Sequence, residues 1–220
     1  MTILYEDADL IALNKPASVP TQADETGVKS LVELAEKKLK IKLFVVHRLD
    51  RPTSGVVVFA KNEHSAADLS TQFQGRKTQK TYFAIVEKKP EKDADTLVHF
   101  LVQNPSNNKA FVAVEGTLNA KRAEMRYILR GSSDRYFLLE IALLTGRHHQ
   151  IRAQLAAIGC PIKGDVKYGA RRSNPDRSIH LHAAELTFNQ PKSGAKLTIK
   201  APLPSKNDAL WRFFEKDISK

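Results

Sequence analysis

The sequence predicts an α+β fold, in which residues 1–220 form a single domain with a largely antiparallel mixed sheet flanked by helices. The chain has 220 residues, of which 42% are hydrophobic, and this is enough to bury a sizeable core. Helical periodicity appears toward both ends of the chain. Between them, segments rich in β-branched or aromatic residues follow one another without helices, which favours antiparallel pairing. These segments are 82–86, 97–102, 110–114, 123–129 and 136–143.

The first part of the chain alternates short apolar runs with amphipathic segments. Residues 3–13 predict a hairpin, because two apolar stretches flank an acidic turn. Residues 28–39 predict a helix with leucines on one face and lysines elsewhere. The continuous apolar run 56–60 is typical of a buried strand, and residues 66–73 predict a second amphipathic helix.

The last part of the chain contains two further predicted helices. Residues 149–158 return to helical spacing, with the large aliphatic side chains on one side and Arg152 on another. Cys160 is the only cysteine, which excludes an intrachain disulfide, and its setting predicts a small buried filler in a turn. Residues 205–214 predict a capped helix whose apolar side chains dock onto the domain, namely Leu210, Phe213 and Phe214.

The charge of the chain indicates the kind of partner it binds. Thirty-five basic residues against 24 acidic ones give a formal net charge of +11 and a pI near 9.7. This excess favours an anionic polymer over a small acidic substrate, and charge alone leaves RNA, DNA and an anionic membrane open. No apolar run approaches the roughly 20 residues that span a bilayer, and the first residues resemble no leader. We therefore expect a cytoplasmic protein.

A carboxylate in an unusual setting marks the first candidate site. Asp50 stands between Arg48 and Arg51, ahead of a turn at Pro52 and the buried run 56–60. Such a loop aims the carboxylate rigidly, and the two arginines favour its ionised form, the form that attacks an electrophilic carbon. Taken alone, this motif is better explained by a structural ion pair in a loop.

Two long motifs carry a family resemblance. Residues 47–61, HRLDRPTSGVVVFAK, resemble the catalytic-aspartate motif of the RluA-type RNA pseudouridine synthases. Residues 144–152, LTGRHHQIR, resemble the other signature of that family together with GCPIKGD at 159–165 and the pair 168–169. The order of the two motifs also agrees with the family.

The resemblance covers nearly the whole chain but departs from the family pattern in two places. Shorter blocks at 14–17 and 80–86 agree with it, so that it extends over about residues 10–188. Gln22 and the pair 153–154 stand near positions where the family usually has a histidine. These departures bear on RNA contacts and substrate identity. The family often carries an N-terminal S4 RNA-binding module, and we expect none here.

The resemblance implies a cofactor-free isomerase that converts uridine to pseudouridine. It makes Asp50 the nucleophile or electrostatic partner of the sugar, and attack at C1′, attack at C6 and a glycal route all remain open. Arg152 matches the arginine that pairs with this aspartate, with Arg147 as the competing choice. Tyr82 falls where the family has an active-site tyrosine that can stack on uracil and assist proton transfer. A core aromatic in a strand is the alternative for Tyr82.

The expected partner is structured tRNA or ribosomal RNA, with no membrane and no metal, and we expect a monomer. Residues 163–177 form a glycine-containing cationic loop suited to holding phosphates. The predicted RNA-binding residues are Arg48, Arg51, Arg147, His149, Gln150, Lys167, Arg171 and Arg172.

Some residues of the sequence also suggest two other functions. A metal-dependent nuclease would use Asp165 with the histidine pairs 148–149 and 180–182, but no ligand lies beside them at a metal-binding spacing. An RNA-binding or ribosome-assembly protein would keep the synthase fold without its chemistry. The joint presence of Asp50, Tyr82 and Arg152 argues against that function, since binding alone does not require them.

Overall fold

The computed structural model describes residues 1–25, 27–206 and 208–218. Its strands are β1 Thr2–Glu6, β2 Leu10–Lys15, β3 Phe44–Val45, β4 Ser54–Ala60, β5 Gln79–Val86, β6 Ala94–Asn104, β7 Lys109–Ala113, β8 Lys121–Ser132, β9 Phe137–Leu143, β10 Leu181–Asn189 and β11 Lys196–Lys200. Its α-helices are α1 Leu31–Leu39, α2 Glu63–Gln74, α3 Gln150–Ala157 and α4 Ala209–Ile218, and a 3₁₀ helix covers Val166–Tyr168. None of the helices in this described part of the chain is long and apolar enough to cross a membrane.

The chain divides into two compact units. Unit 1 comprises Met1–Lys80 and His182–Pro204. Its strands lie in the order β1-β2-β4-β10, with β3 paired to β4 and β11 paired to β10. The β4–β10 pair is parallel and the others are antiparallel. Every residue of β4 is buried. Val56, Val58 and Ala60 belong to the hydrophobic core of this unit, and Val57 and Phe59 on the opposite face are fully buried as well.

Unit 2 comprises Thr81–Leu181 and Ser205–Lys220. Its strands lie in the order β5-β9-β8-β6-β7 and pair antiparallel throughout. Helix α3 packs its Ile151 and Leu155 onto the core side of this sheet. Cys160 belongs to the same core and is buried, as the sequence predicts.

The structure confirms the α+β class with a largely antiparallel mixed sheet. The hairpin, the buried strand, the five successive strands and the four helices all form. Helix α1 begins at Leu31, three residues later than predicted, because Ser30 and Glu33 form a capping box at its N-terminus. The sequence patterns did not predict β3, β10 or β11. That the two units form one domain stays a prediction.

The C-terminal helix differs from its prediction in one side chain. Trp211 and Phe214 are the buried anchors of α4, whereas Phe213 is 46% exposed, so the prediction that Phe213 docks is wrong. Phe213 and Phe214 are adjacent, and a helix turns by about 100° between neighbours, so only one of the two can face the sheet. The cap is Asp208, whose Oδ1 accepts hydrogen bonds from the backbone N–H groups of Leu210 and Trp211.

Candidate active site

The loop that carries Asp50, residues 47–53, is anchored at several points within unit 1. The carbonyl of Asp50 accepts a hydrogen bond from the N–H of Thr53 at 3.0 Å, which closes the predicted turn. On the other side, Thr21 bonds through its hydroxyl to both backbone groups of Leu49. Arg51 donates from Nε to the carbonyl of Ser18, and its own carbonyl accepts from the Ser18 N–H. The backbone on both sides of Asp50 is therefore held in place.

Lys15, at the end of β2, lies fully buried next to this loop. Its Nζ donates to the carbonyls of Pro16 at 3.1 Å, Val19 at 2.7 Å and Arg51 at 3.0 Å. Burial lowers the pKa of Lys15 to about 7, while the charge of Asp50 acts in the opposite direction. Sequence reasoning missed this residue, although it stands in the short 14–17 block of the family resemblance.

The strand that follows the loop is joined to β10 by an unusually close approach. Gly55 has a φ of +118°, and a Cβ at this position would lie 2.1 Å from the carbonyl oxygen of Ala183. Only glycine therefore fits here. Beside it, Ser54 Oγ lies 2.8 Å from His182 Nδ1, and His182 Nε2 lies 3.4 Å from the carbonyl of Ala201. Because a carbonyl can only accept, Nε2 carries the proton and Nδ1 accepts from Ser54.

His47, the first residue of the motif, supports β4. Its Nε2 accepts a hydrogen bond from the Val58 N–H at 2.9 Å, and its ring stacks on Phe73 with centroids 4.5 Å apart. Burial and the nearby charge of Lys80 lower the pKa of His47 to about 3, so the ring is neutral and can accept. Burial also lowers the pKa of Lys80, to about 8. His47 thus has a structural role in this motif.

Arg152, on α3 in unit 2, forms a buried two-point ion pair with Asp165. Its Nε lies 2.7 Å from Oδ2 and its Nη2 lies 2.8 Å from Oδ1. The ring of Tyr168 lies against the guanidinium, 4.9 Å from centroid to Cζ. The engagement of Asp165 by an arginine argues against its use as a metal ligand, as the nuclease alternative requires.

The residues before α3 have structural contacts of their own. Gln150 is buried, and its amide bonds to the Thr145 hydroxyl, the Arg147 N–H, the Glu124 carbonyl and the Gln154 side chain. These bonds fill the capacity of a glutamine amide, so the RNA contact predicted for Gln150 has no support in this geometry. Its observed role is to fix the start of the helix.

Arg147 and His149 precede α3 and also make polar contacts within unit 2. Arg147 is half-buried and donates from Nε to the Arg122 carbonyl at 3.0 Å. His149 stacks on His148 with centroids 3.8 Å apart, and its Nδ1 lies 2.9 Å from the Tyr168 hydroxyl. Among the described residues no group of three or more histidine, cysteine or acidic side chains is arranged to hold a metal ion.

The cationic loop 163–177 presents its arginines to solvent. Arg171 and Arg172 are exposed, and the backbone of Arg171 is tied to Glu87 through its N–H. Lys167 is also exposed and donates to the Asn108 carbonyl at 2.8 Å.

The predicted site residues fall into two sets. Unit 1 holds the half-buried Asp50 and Arg51 and the exposed Arg48, and it adds Lys15 to them. Unit 2 holds the remaining predicted residues and adds Asp165 and Tyr168, both of which stand in the second motif. In unit 2, Tyr82 is half-buried on β5 and packs against the core.

Known proteins resemble this chain along most of its length. The family model described as RNA pseudouridylate synthase matches residues 9–157. A ribosomal large subunit pseudouridine synthase C of Rickettsia conorii is 33% identical over 207 residues, covering 92% of this chain and 68% of the relative. A tRNA pseudouridine synthase C of Haemophilus ducreyi is 34% identical over 232 residues, covering 97% of this chain and 96% of the relative.

A solved structure agrees with these sequence relatives. Human RNA Pseudouridylate Synthase Domain Containing 4 superposes with a TM-score of 0.75 and 28% identity, covering 99% of this chain and 91% of that one. The two long motifs, the family match and the shared fold lead to one conclusion. The chain belongs to the RNA pseudouridylate synthase family, as its resemblance to the RluA-type enzymes predicts, and it is an isomerase that acts on RNA.

Proposed function

We propose that this protein isomerises specific uridines to pseudouridine in structured tRNA or ribosomal RNA, with Asp50 as its catalytic carboxylate. The observation that carries the proposal is the anchoring of the Asp50 loop. Lys15, Ser18 and Thr21 hold the residues on both sides of Asp50, so the backbone that carries the carboxylate is fixed, which favours the defined position that attack at a sugar carbon requires. Of the two relatives described above, one is named as a synthase of the ribosomal large subunit and the other as a synthase of tRNA.

The reaction needs no oxidant, reductant or energy source. The bond between N1 of uracil and C1′ of ribose breaks, the base turns while it stays bound, and a bond forms between C5 and C1′. The proton leaves C5 and N1 gains one, so the product is an isomer of the substrate. Asp50 acts on the sugar or the base in the first stage, and the protein must hold the detached uracil until the second bond forms.

Two residues of unit 2 complete the proposed chemistry. Arg152 is the counter-charge that orients the Asp50 carboxylate, and its rigidity comes from the contacts to Asp165 and Tyr168. Tyr82 stacks on the uracil and assists removal of the C5 proton. Target uridines in folded RNA must first be extruded, which costs a few kcal/mol.

The contacts to RNA are proposed to come from basic side chains that are exposed or half-buried. Arg171, Arg172 and Lys167 of the cationic loop contact phosphates, and Arg48, Arg51, Arg147 and His149 contact the RNA nearer the target nucleotide. Phosphate contacts carry no sequence information, so the choice of uridine depends on RNA shape and on unstacked bases. Free uridine and uridine monophosphate should accordingly not react. We propose a cytoplasmic monomer that needs neither metal nor cofactor.

The direct test is to map pseudouridines after incubating the purified protein with unmodified tRNA and large-subunit ribosomal RNA transcribed in vitro. We expect the wild-type protein to modify one or a few uridines at defined positions. Asp50→Asn preserves the size of the side chain and removes its charge, and it should abolish modification while RNA binding stays within about twofold. Asp134→Asn changes an exposed carboxylate and is the matched control. Substantial turnover by Asp50→Asn would refute the mechanism.

A further inference from the structure

Two residues hold the guanidinium of Arg152, Asp165 at its edge and Tyr168 against its face. Asp165 accepts from its Nε at 2.7 Å and from its Nη2 at 2.8 Å, and Tyr168 covers its plane. A guanidinium has five N–H donors in one plane, and Asp165 accepts from two of them. The two parallel hydrogen bonds fix both the position and the rotation of that plane, so the directions of the other donors are also fixed.

This ion pair is deeply buried, with 5% of the Arg152 side chain and 1% of the Asp165 side chain exposed. Burying two charges removes them from water, and such pairs are often no more stable than apolar residues of the same volume. A contribution to folding therefore does not account well for the pair. The pair is better explained by a role in orienting Arg152, whose charged guanidinium also acts on a group other than Asp165. Such a role would justify the cost of removing the two charges from water.

Three backbone hydrogen bonds hold Asp165 in place. Its N–H donates to the Ile162 carbonyl at 3.0 Å, and its carbonyl accepts from Tyr168 at 2.9 Å and from Ala170 at 3.1 Å. Gly164 before it has a φ of +91°, and a Cβ there would lie 2.8 Å from the backbone carbonyl of Ser178. The hydrogen bonds of Asp165 and the close backbone approach at Gly164 therefore fix the turn that carries Asp165.

Tyr168 has its own anchors at the hydroxyl. The oxygen accepts from the Ala110 N–H on β7 at 2.8 Å and lies 2.9 Å from Nδ1 of His149. Tyr168 is only 6% exposed, and the ammonium group of Lys109 lies over its ring, 5.0 Å from the centroid. The aromatic surface against Arg152 is therefore fixed by contacts at the far end of the ring.

We propose that Asp165 and Tyr168 are positioning residues for the reaction, which act by holding Arg152 in the orientation that the catalytic step requires. This inference rests on the proposed function, because it assumes that Arg152 orients Asp50. Asp165 supplies the two-point contact, and Tyr168 restricts the tilt of the guanidinium. Neither residue touches the reacting atoms in this proposal.

The test compares single-turnover rate constants and RNA dissociation constants of the variants Asp165→Asn, Arg152→Lys and their combination, using the transcript that the wild-type protein modifies. Asp165→Asn keeps the shape and removes the charge. We expect it to lower the rate constant at saturation at least 20-fold, with RNA affinity changed less than threefold. Lysine cannot form the two-point contact, so Asp165→Asn should change the rate of Arg152→Lys less than threefold.

Additive losses in the combined variant would overturn the proposal, because they would mean that Asp165 acts without Arg152. A wild-type rate for Asp165→Asn would overturn it as well. If Asp165→Asn does not unfold cooperatively, Asp165→Glu keeps the charge and displaces the guanidinium by one methylene. It should lose rate without losing RNA affinity, and an unchanged rate would refute the positioning role.

Two further variants complete the design. Tyr168→Phe keeps the ring but removes its hydroxyl contacts and should lose part of the rate, whereas Tyr168→Leu removes the ring as well and should lose more, both at constant RNA affinity. Equal rates for the two would remove Tyr168 from the proposal. Glu140→Gln, which breaks the surface pair with Arg130, is the control and should behave as wild type. Failure of the proposed function is a separate result, namely a wild-type protein that forms no pseudouridine.

Discussion

The ammonium group of Lys15 lies 3.0 Å from the carbonyl oxygen of Arg51, so a fully buried lysine holds the residue that follows Asp50. The same group reaches the carbonyls of Pro16 and Val19. A lysine here orders the loop by donating hydrogen bonds to three backbone carbonyls at once. Its charge is the cost, because burial disfavours an ammonium ion, and this explains the lowered pKa.

Lys15→Met should therefore affect catalysis more than binding. Methionine fills the volume but donates no hydrogen bonds. The Arg51 carbonyl keeps its hydrogen bond from the Ser18 N–H, while each buried acceptor left without a donor costs about 1 to 3 kcal/mol, which the removal of a buried charge partly offsets. We expect a fall in turnover of about tenfold with RNA affinity nearly unchanged, measured by single-turnover assays and filter binding. Lys29→Met, at an exposed lysine, is the control. Unchanged turnover would show that the loop holds its geometry without Lys15.

The buried His182 should make the protein sensitive to acid. Burial lowers the pKa of His182 to about 4, from an ordinary value near 6.5. Between these values the unfolded chain binds a proton that the folded protein does not, so the free energy of unfolding falls as the pH falls from about 6.5 to about 4. The difference of about 2.5 pH units corresponds to about 3 kcal/mol for this residue.

The measurement is urea unfolding at several pH values between 7.5 and 4.5. His182→Gln can still accept from Ser54 and donate to the Ala201 carbonyl, and it should reduce the dependence on pH. The remaining dependence comes in part from His47, whose pKa burial also lowers, to about 3. His64→Gln, at an exposed histidine, should leave it unchanged. An equal slope in wild type and His182→Gln would mean that other groups control the acid sensitivity.

Arg152 and Arg147 are the two candidates for the partner of Asp50. Arg152→Met should abolish turnover, because in the proposed mechanism Arg152 is the counter-charge of the carboxylate, while Arg147→Met should mainly weaken RNA binding. Turnover at saturating RNA distinguishes them. If Arg147→Met is inactive at saturation and Arg152→Met is nearly normal, the two assignments are reversed.

Tyr82 can act through its ring or through its hydroxyl. Tyr82→Phe preserves stacking on the uracil, and Tyr82→Ala removes it. Near-normal turnover of the phenylalanine variant beside an inactive alanine variant would assign the residue to stacking, which we expect to be its larger contribution. Loss in both would implicate the hydroxyl in proton transfer. Wild-type rates in both would place Tyr82 outside the site, and thermal melting should accompany these assays because the residue packs against the core.

The cationic loop should contribute affinity rather than chemistry. Replacing Arg171 and Arg172 by alanine should raise KM and reduce the slope of log K against log[salt] by about 1.4 to 1.8, at about 0.7 to 0.9 per phosphate contact. Single-turnover chemistry at saturation should hardly change. The double replacement of Lys37 and Lys38 on α1 removes the same charge from an exposed helix face and is the control. Equal salt slopes for both double variants would mean that the RNA follows another path.

Local sequence patterns were sufficient for much of the fold. The unbroken apolar run of β4 and the spacing of Ile151 and Leu155 on α3 report burial directly, because strand and helix periods decide which side chains share a face. Strand β10 escaped prediction. It is buried along nearly its whole length and contains His182, whose polarity is compensated by Ser54 and by a backbone carbonyl far away in the sequence.

The sequence by itself determined the family resemblance, the excess of positive charge and the candidates Asp50, Tyr82 and Arg152, since these depend on residue type and order. Only the tertiary structure decided what surrounds them. The burial of Lys15 next to the Asp50 loop, the two-point contact of Asp165 with Arg152 and the internal use of Gln150 each join segments separated along the chain. Such contacts depend on how distant segments of the backbone come together, and this cannot be predicted from the local spacing of residues.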